Sequence, residues 1–327
     1  MNYKPILIVS GEPNSVFLEI FFKVLKKNVF LSPIILISSK ELLTKQMKKL
    51  KFKKKIKILD AKTLDKYKLD NKSINLINVK YNQNNAFEKI SKKSNTFIEN
   101  SFKLAFKIIK KYKLYKFING PIVKKSFLNK NFLGITEYIS NKFKTINTCM
   151  LIYNKNLSVC PVTTHLPLKL VTKKINKRVI FNKVSLINNF YKKKFGIKPK
   201  IAILGLNPHC ESVDLYNEDE KIIKPAIEHL KNKYNVSGPH SSDTVFLKAN
   251  REKFDVIVGM YHDQVLSPFK TLYEYDAINI TLGLPFIRIS PVHGPNEKML
   301  GMNKSNPTSL LKAIQFLDKN WLMLKKV

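Results

Sequence analysis

Short apolar runs alternate along the chain with stretches in which apolar positions recur at helical spacing. Runs at 6–10, 33–38, 200–204, 255–260 and 277–281 read as strands, and 15–27 and 39–49 read as the helices that follow the first two. That alternation predicts an α/β protein with a largely parallel sheet. A longer helix is predicted from about 85 to 111, its buried stripe formed by Phe97, Ile98, Phe102, Ala105, Phe106 and Ile109. Runs 149–154 and 157–163, separated by Lys155-Asn156, predict a hairpin or two paired strands. Near the end, Asn306 before Pro307 forms an N-cap and N1 pair, followed by the stripe Leu310, Leu311, Ile314, Leu317, Trp321 and Leu324. No internal repeat or low-complexity linker interrupts the pattern, and the lysine-rich patch at 48–57 reads as a solvated loop.

With 327 residues, 44% of them hydrophobic, the chain is long enough for a substantial core and favours two lobes over one. Cys149, Cys160 and Cys210 are odd in number and show no CxxC spacing, which argues against a disulfide framework or a zinc knuckle and for a reducing, cytoplasmic setting. The run at 6–10 is too short for a signal segment and leads straight into Gly11-Glu12-Pro13. No apolar run approaches the length that spans a bilayer, so no membrane partner is expected.

A net charge of +36 raises nucleic acid or another polyanion as a partner. The kind of charge points elsewhere. Only Arg178, Arg251 and Arg288 are arginines; the rest of the 59 basic residues are lysines scattered among many Asn and Ile, a bias that an AT-rich coding sequence produces. Readers of nucleic acid concentrate arginine, whose planar fork suits phosphate and guanine, so a solvated lysine surface is favoured over a specific nucleic-acid face.

The ten glycines include no GxG pair, which excludes a Rossmann GxGxxG, and no GxxxxGK is present. Histidines carry more information. His165, His209 and His262 each follow a predicted strand, at the sheet edge where α/β proteins bind ligands. Loop histidines also cap backbone groups, but three in equivalent places favour a divalent-metal site with positions open to a substrate oxygen. His229, between Glu228 and Leu230 in a helix, reads as a surface residue. Asp243, Asp263-Gln264, Lys270 and Asn279 add polar groups near these loops, and Asp243 and Lys270 are candidate general bases. Arg288, in a chain that almost never uses arginine, reads as a bidentate clamp on carboxylate or phosphate, with a structural ion pair as the alternative.

Together, Thr163-Thr164-His165-Leu166-Pro167-Leu168, Gly205-Leu206-Asn207-Pro208-His209, Tyr261-His262-Asp263-Gln264 and the segment from Ile278 and Asn279 to Arg288 resemble the 4-hydroxythreonine-4-phosphate dehydrogenase family. Gly11-Glu12-Pro13, Asn119-Gly120-Pro121 with Lys124, Gly134 with Thr136-Glu137, Asp243-Thr244 with Phe246, and His293-Gly294 occur in the family's order across nearly the whole chain. The resemblance implies an isocitrate/isopropylmalate-dehydrogenase-like fold that binds NAD without a Rossmann fingerprint. Its two intertwined lobes are expected at 1–130 plus 280–327 and at 131–279. It also implies a homodimer with a shared active site, in which a divalent metal (Zn, Mg, Mn or Co) is held by His165 and His209 of one subunit and His262 of the other. Thr136, Lys270, Asn279 and Arg288 would contact a small phosphorylated amino-acid substrate. The implied reaction is NAD-dependent oxidation and decarboxylation of 4-phosphohydroxy-L-threonine to 3-amino-2-oxopropyl phosphate, in pyridoxal 5'-phosphate biosynthesis.

The chain departs from the family pattern around the site. Ile135 stands where the family has His before Thr-Glu, Val292 replaces Asp before His-Gly, and Pro295 replaces the Thr after it. Cys210-Glu211-Ser212-Val213-Asp214 replaces a glycine-rich stretch, and Asn14-Ser15-Val16-Phe17 stands where small residues are common. These changes keep a dehydrogenase of another phosphorylated hydroxy acid, such as 4-phosphothreonate, as the alternative substrate reading. A nonenzymatic polyanion-binding protein is the alternative of another class.

Overall fold

The computed structural model describes residues 3–123, 127, 128, 132, 134–212 and 216–318. Lys124, Val213, Asp214, Trp321 and Leu324, named above, lie outside the described residues. The chain divides into two compact units, one comprising Met1–Ile135 and Pro285–Asn320 and the other built on Thr136–Leu284.

In the first unit, strands β1 (Ile6–Val9), β2 (Ile34–Ser38), β3 (Ile56–Ile58), β4 (Ile74–Asn78), β5 (Lys116–Asn119) and β12 (Ile287–Pro291) are ordered β3-β4-β2-β1-β5-β12, every neighbouring pair parallel. Every residue of β1, β2 and β5 is buried, as strands covered on both faces must be. Helix α1 (Phe17–Lys27) is buried all round over Phe17–Phe22, whereas α2 (Lys40–Lys49) and α3 (Asn95–Tyr112) bury one face each, and Ser39 caps α2 by accepting from Leu42 N. Helix α3 begins at Asn95, so the expected start near 85 is corrected. Glu88 Oε1 accepts from Asn84 N and Asn85 N, and Ser91 Oγ accepts from Lys93 N, local bonds that compete with a helical backbone.

In the second unit, strands β6 (Cys149–Tyr153), β7 (Ser158–Pro161), β8 (Ile201–Leu204), β9 (Val236–His240), β10 (Val256–Gly259) and β11 (Ile278–Leu282) are ordered β11-β6-β7-β10-β8-β9. The pairs from β7 to β9 are parallel, whereas β6 runs antiparallel to both β7 and β11. The β6–β7 hairpin matches the expectation, with Ile152 opposite Val159. Around this sheet lie α4 (Ile135–Lys142, whose first residue belongs to the other unit), α5 (Lys177–Phe195), α6 (Lys224–Lys231), the single turn α7 (Lys248–Arg251) and α8 (His262–Tyr273). Asn176 caps α5 by accepting from Val179 N. Val265 and Phe269 of α8 are fully buried with Val159, Ile257 and Leu204, each such side chain contributing about 1.5–3 kcal/mol. That burial fixes the direction from which α8 presents its first residue. The closing helix α9 (Thr308–Asp318) returns to the first unit, with Asn306 Oδ1 accepting from Thr308 N as the capping pattern requires. Cys149, Cys160 and Cys210 are free and buried, and the Cys149 and Cys160 sulfurs lie 3.1 Å apart. No helix among the described residues is long and apolar enough to cross a membrane.

Candidate active site

Strands β7, β10 and β8 are adjacent and parallel, with Gly259 facing Pro161 and Val258 facing Ile203. Their carboxyl ends open on one edge, the ligand-binding edge of such sheets. Each strand delivers an imidazole there: His165 in the loop after β7, His209 in the loop after β8, and His262 as the first residue of α8. His165 (φ 46°) and His209 (φ 55°) both occupy the left-handed backbone region, as does Cys210 (φ 64°). A non-glycine residue held there costs roughly 1–3 kcal/mol and persists only where its surroundings over-determine it.

Buried hydrogen bonds supply that determination. Thr163 donates from both N (3.2 Å) and Oγ1 (2.8 Å) to Met260 O, joining the β7 and β10 loops. Met260 N donates to Gln264 Oε1 at 2.6 Å, and Gln264 Nε2 donates to Gly205 O at 2.7 Å, joining the β10 loop to the end of β8. The three histidine-bearing segments are thereby fastened to one another.

The rings of His165 and His262 lie 5.7 Å apart, tilted by 37°. His262 Nδ1 is 2.6 Å from Asp263 Oδ1, and a proton donated there leaves the lone pair of Nε2 free. His209 Nδ1 lies 3.9 Å from Asp243 Oδ2, and both side chains are exposed. The Ser241 hydroxyl, which donates to Asp243 Oδ1 at 2.5 Å, and the neighbouring His209 hold the Asp243 carboxyl below the usual carboxylate range. His240, at the end of β9, is half-buried against Phe254 and Ser237, and burial lowers its pKa.

The remaining residues singled out in the sequence fall in several places. Thr136 lies in α4, which is tied to the His165 loop by Thr164 Oγ1 donating to Glu137 Oε1 at 3.3 Å. Lys270 lies two turns beyond His262, about 12 Å along α8 by helical rise. It is half-buried, and desolvation lowers its pKa. Asn279 lies on β11 opposite Ile152, and its Oδ1 is buried without a hydrogen-bond partner among the described residues. Arg288 belongs to the other unit, fully buried on β12, where its Nε donates to Asn119 Oδ1 at 2.7 Å. Ile135, the first residue of α4, and Val292 and Pro295 carry no imidazole, carboxylate or hydroxyl.

Three imidazoles at one edge are the donor type that a divalent transition metal takes. Among the described residues of this one chain, no group of three His, Cys, Asp or Glu side chains is arranged to hold a metal ion. The donors fit such an ion in kind, and within one chain the described residues do not close on it.

Sequence reasoning passed over Asp219. In the run Asn217-Glu218-Asp219-Glu220 it looks like one more solvated acid, yet it is fully buried and accepts from Leu206 N (2.7 Å) and Asn207 N (2.9 Å). Nothing in that run separates it from its neighbours.

The family model for pyridoxal phosphate biosynthetic protein PdxA matches residues 30–317. The chain is 37% identical to a 4-hydroxythreonine-4-phosphate dehydrogenase of Sulfurihydrogenibium sp., over 98% of each chain. It is 37% identical to the enzyme of the same name from Bradyrhizobium diazoefficiens, over 62% of this chain and 61% of that one. The crystal structure of 4-hydroxythreonine-4-phosphate dehydrogenase from Klebsiella pneumoniae superposes with a TM-score of 0.82 at 25% identity, covering 96% of this chain and 97% of that one.

Proposed function

The chain belongs to the PdxA family of pyridoxal phosphate biosynthetic proteins, and we propose that it is a 4-hydroxythreonine-4-phosphate dehydrogenase: it oxidises 4-phosphohydroxy-L-threonine with NAD and decarboxylates the product to 3-amino-2-oxopropyl phosphate. The observation that carries the reading is the delivery of His165, His209 and His262 to one sheet edge by three adjacent parallel strands. In this reading the fold is of the isocitrate/isopropylmalate-dehydrogenase type, the protein is a homodimer, and His165 and His209 hold a divalent ion with His262 of the partner subunit. When bound, such an ion acidifies the C3 hydroxyl and offsets the charge that develops as carbon dioxide leaves.

The chain's own residues account for the rest. Oxidation sends a hydride from C3 to NAD and the hydroxyl proton to a base; loss of carbon dioxide then leaves an electron pair at C2 that takes up a proton. Asp243 is ionised beside His209, and Lys270 is desolvated enough to release its proton more readily than an ordinary lysine. Both are placed in this reading as proton carriers. Thr136, Lys270 and Asn279 are placed on the substrate in this reading, and the buried, unpartnered Asn279 Oδ1 supplies an acceptor for its ammonium or hydroxyl.

The test is metal analysis of the purified protein followed by NADH formation with 4-phosphohydroxy-L-threonine. Metal and NADH together support the reading; NADH formed with 4-phosphothreonate instead transfers it to that substrate, as the Ile135 departure allows. Neither metal nor turnover leaves the polyanion-binding reading that the charge of +36 favours.

A further inference from the structure

We propose that Asp219, through the hydrogen bonds of its buried carboxylate, is the positioning residue that sets His209 as a metal ligand. The inference rests on the metal reading of the site given above.

Asp219 opens a wide π-type turn, Asp219–Ile223, and its own N donates to Asn217 Oδ1 at 2.9 Å. Both carboxylate oxygens face the segment that leads to His209. Oδ1 accepts from Leu206 N at 2.7 Å, while Oδ2 accepts from Asn207 N and Asn207 Nδ2, each at 2.9 Å. These three donors lie in consecutive residues, so the carboxylate fixes the peptide planes of Leu206 and Asn207 together. Pro208 then restricts the backbone further, and His209 follows in its left-handed conformation.

Gly205 completes the arrangement. A Cβ there would stand 2.7 Å from Asp219 Oδ1 and 2.7 Å from Cys210 Sγ, so the close approach of the carboxylate depends on the missing side chain. Gly205 O is also the acceptor for Gln264, the residue that fastens the His262 segment. The Gln264 amide holds Gly205 and the Asp219 carboxylate holds Leu206 and Asn207, so three consecutive residues after β8 are fastened. A fully buried carboxylate is costly unless its oxygens are engaged, and here the engagement is spent on a loop whose next side chain is exposed. That is the pattern of a residue that orients a ligand without touching it.

Asp255 is the control. Its Oδ2 accepts from Lys200 N at 2.7 Å at the opposite ends of β8 and β10, away from the histidine edge. The experiment is a Co2+ titration of metal-stripped, full-length protein, reading affinity and the visible ligand-field spectrum, with Tm measured on the same samples. In Asp219→Asn one oxygen becomes a donor facing a donor, so Co2+ affinity is expected to fall about 10–100-fold with an altered spectrum. Asp255→Asn is expected to lower Tm and keep wild-type affinity and spectrum. Wild-type Co2+ binding in Asp219→Asn overturns the proposal, as does an equal loss of affinity in Asp255→Asn, which would tie affinity to stability alone. Should Asp219→Asn fail to fold, Asn207→Ala removes the Nδ2 bonds to Asp219 (2.9 Å) and Glu218 (3.3 Å) while keeping both backbone bonds to the carboxylate, and is expected to weaken Co2+ severalfold; unchanged affinity there overturns the proposal. Failure of the wild-type protein to bind Co2+ overturns the metal reading itself, and the positioning role with it.

Discussion

The two units solve the same problem in opposite ways. Each ends a set of parallel strands in loops that carry the chain's distinctive residues, but the first unit seals those residues and the second leaves them open. In the first unit Gly11 (φ 75°) leaves room for Pro121 O, which would lie 2.3 Å from a Cβ, and Glu12 N donates to that same oxygen at 2.8 Å. Glu12 is buried; burial first of all raises its pKa, against the lowering effect of Ser94 Oγ donating at 2.8 Å. Arg288 is buried beside Asn119 in the same unit. In the second unit His209 and Asp243 are exposed, and the strain sits in the backbone beneath them. Buried, hydrogen-bonded charges fix geometry, whereas an exposed imidazole such as His209 on a braced backbone can exchange ligands. The chemistry is therefore assigned to the open edge and the framing to the sealed one.

The largest expected effect tests the open edge. His209→Ala is expected to lose its divalent ion and to reduce turnover by about a thousandfold or more, since two imidazoles compete poorly with water for the ion. Metal content measured on the purified variant checks the first part, and unchanged content removes His209 from the site. The proximity of His165 and His262 within one chain makes the source of the third ligand a separate question. Refolding His209→Ala together with His262→Ala is expected to restore about a quarter of wild-type activity if the site is shared, because half of randomly reassorted dimers are mixed and each has one intact site. No recovery, with mixed dimers demonstrated, assigns all three ligands to one chain.

Two lysines extend the comparison, one in each unit. Burial lowers the pKa of both Lys116, whose Nζ donates to Ser32 Oγ at 2.9 Å, and Lys270. For a lysine depressed on folding, the unfolded chain binds more protons between the folded and unfolded pKa values, so stability rises with pH across that window. The cost is fully present below the folded pKa and gone above the unfolded value near 10.5. Methionine at either position is accordingly expected to raise stability at neutral pH, with an advantage that fades as pH approaches 10.5. Only Lys270→Met should also depress turnover, by about 100-fold or more if it carries a proton. Denaturation at several pH values with kinetics on the same variants decides it. Equal turnover in both would place Lys270 with the sealed residues.

Arg288 is the residue on which the contrast could fail. Its alternatives, a substrate clamp or a structural partner, were both open in the sequence, and its burial with a bond to Asn119 is what a framing residue shows. Arg288→Lys is expected to lower stability by about 1–3 kcal/mol, because an ammonium leaves the Asn119 acceptor poorly met. A clamp predicts in addition a fall in kcat/KM of about tenfold or more. Loss of stability with wild-type kinetics would make Arg288 framing alone.

What the sequence made legible was local and periodic. The strands β1, β2, β8, β10 and β11, the β6–β7 hairpin and the Asn306 cap follow from runs and turns of a few residues. The placing of His165, His209 and His262 after strands was readable for the same reason. That β7, β10 and β8 are neighbours was not, because strand order is set by long-range pairing that leaves no mark in any one run. Segment 85–94 misled because Glu88 and Ser91 look compatible with a helix until their side chains are seen holding the backbone in turns. Asp219 was invisible because an acid buried by tertiary contacts has the same sequence neighbourhood as an acid in water.

The smallest expected effect lies at Ile135, the first residue of α4, where the resemblance implies a histidine. Thr136 and Glu137 follow, and Glu137 holds the His165 loop through Thr164. A side chain at the start of a helix lies beside unpaired backbone N–H groups, a setting that already favours an anion. Ile135 adds no donor to it. If the substrate phosphate is bound near this helix start, Ile135→His should add one charge-assisted hydrogen bond of about 1.5 kcal/mol, lowering KM for 4-phosphohydroxy-L-threonine about tenfold while kcat changes little. Lower KM with constant kcat is the mark of uniform binding, distinct from any change in the proton carriers. The gain should shrink as pH rises well above about 6.5, where an ordinary imidazole loses its charge, and in high salt. A KM that rises, or that falls equally for an unphosphorylated hydroxy-amino acid, would separate this helix start from phosphate recognition.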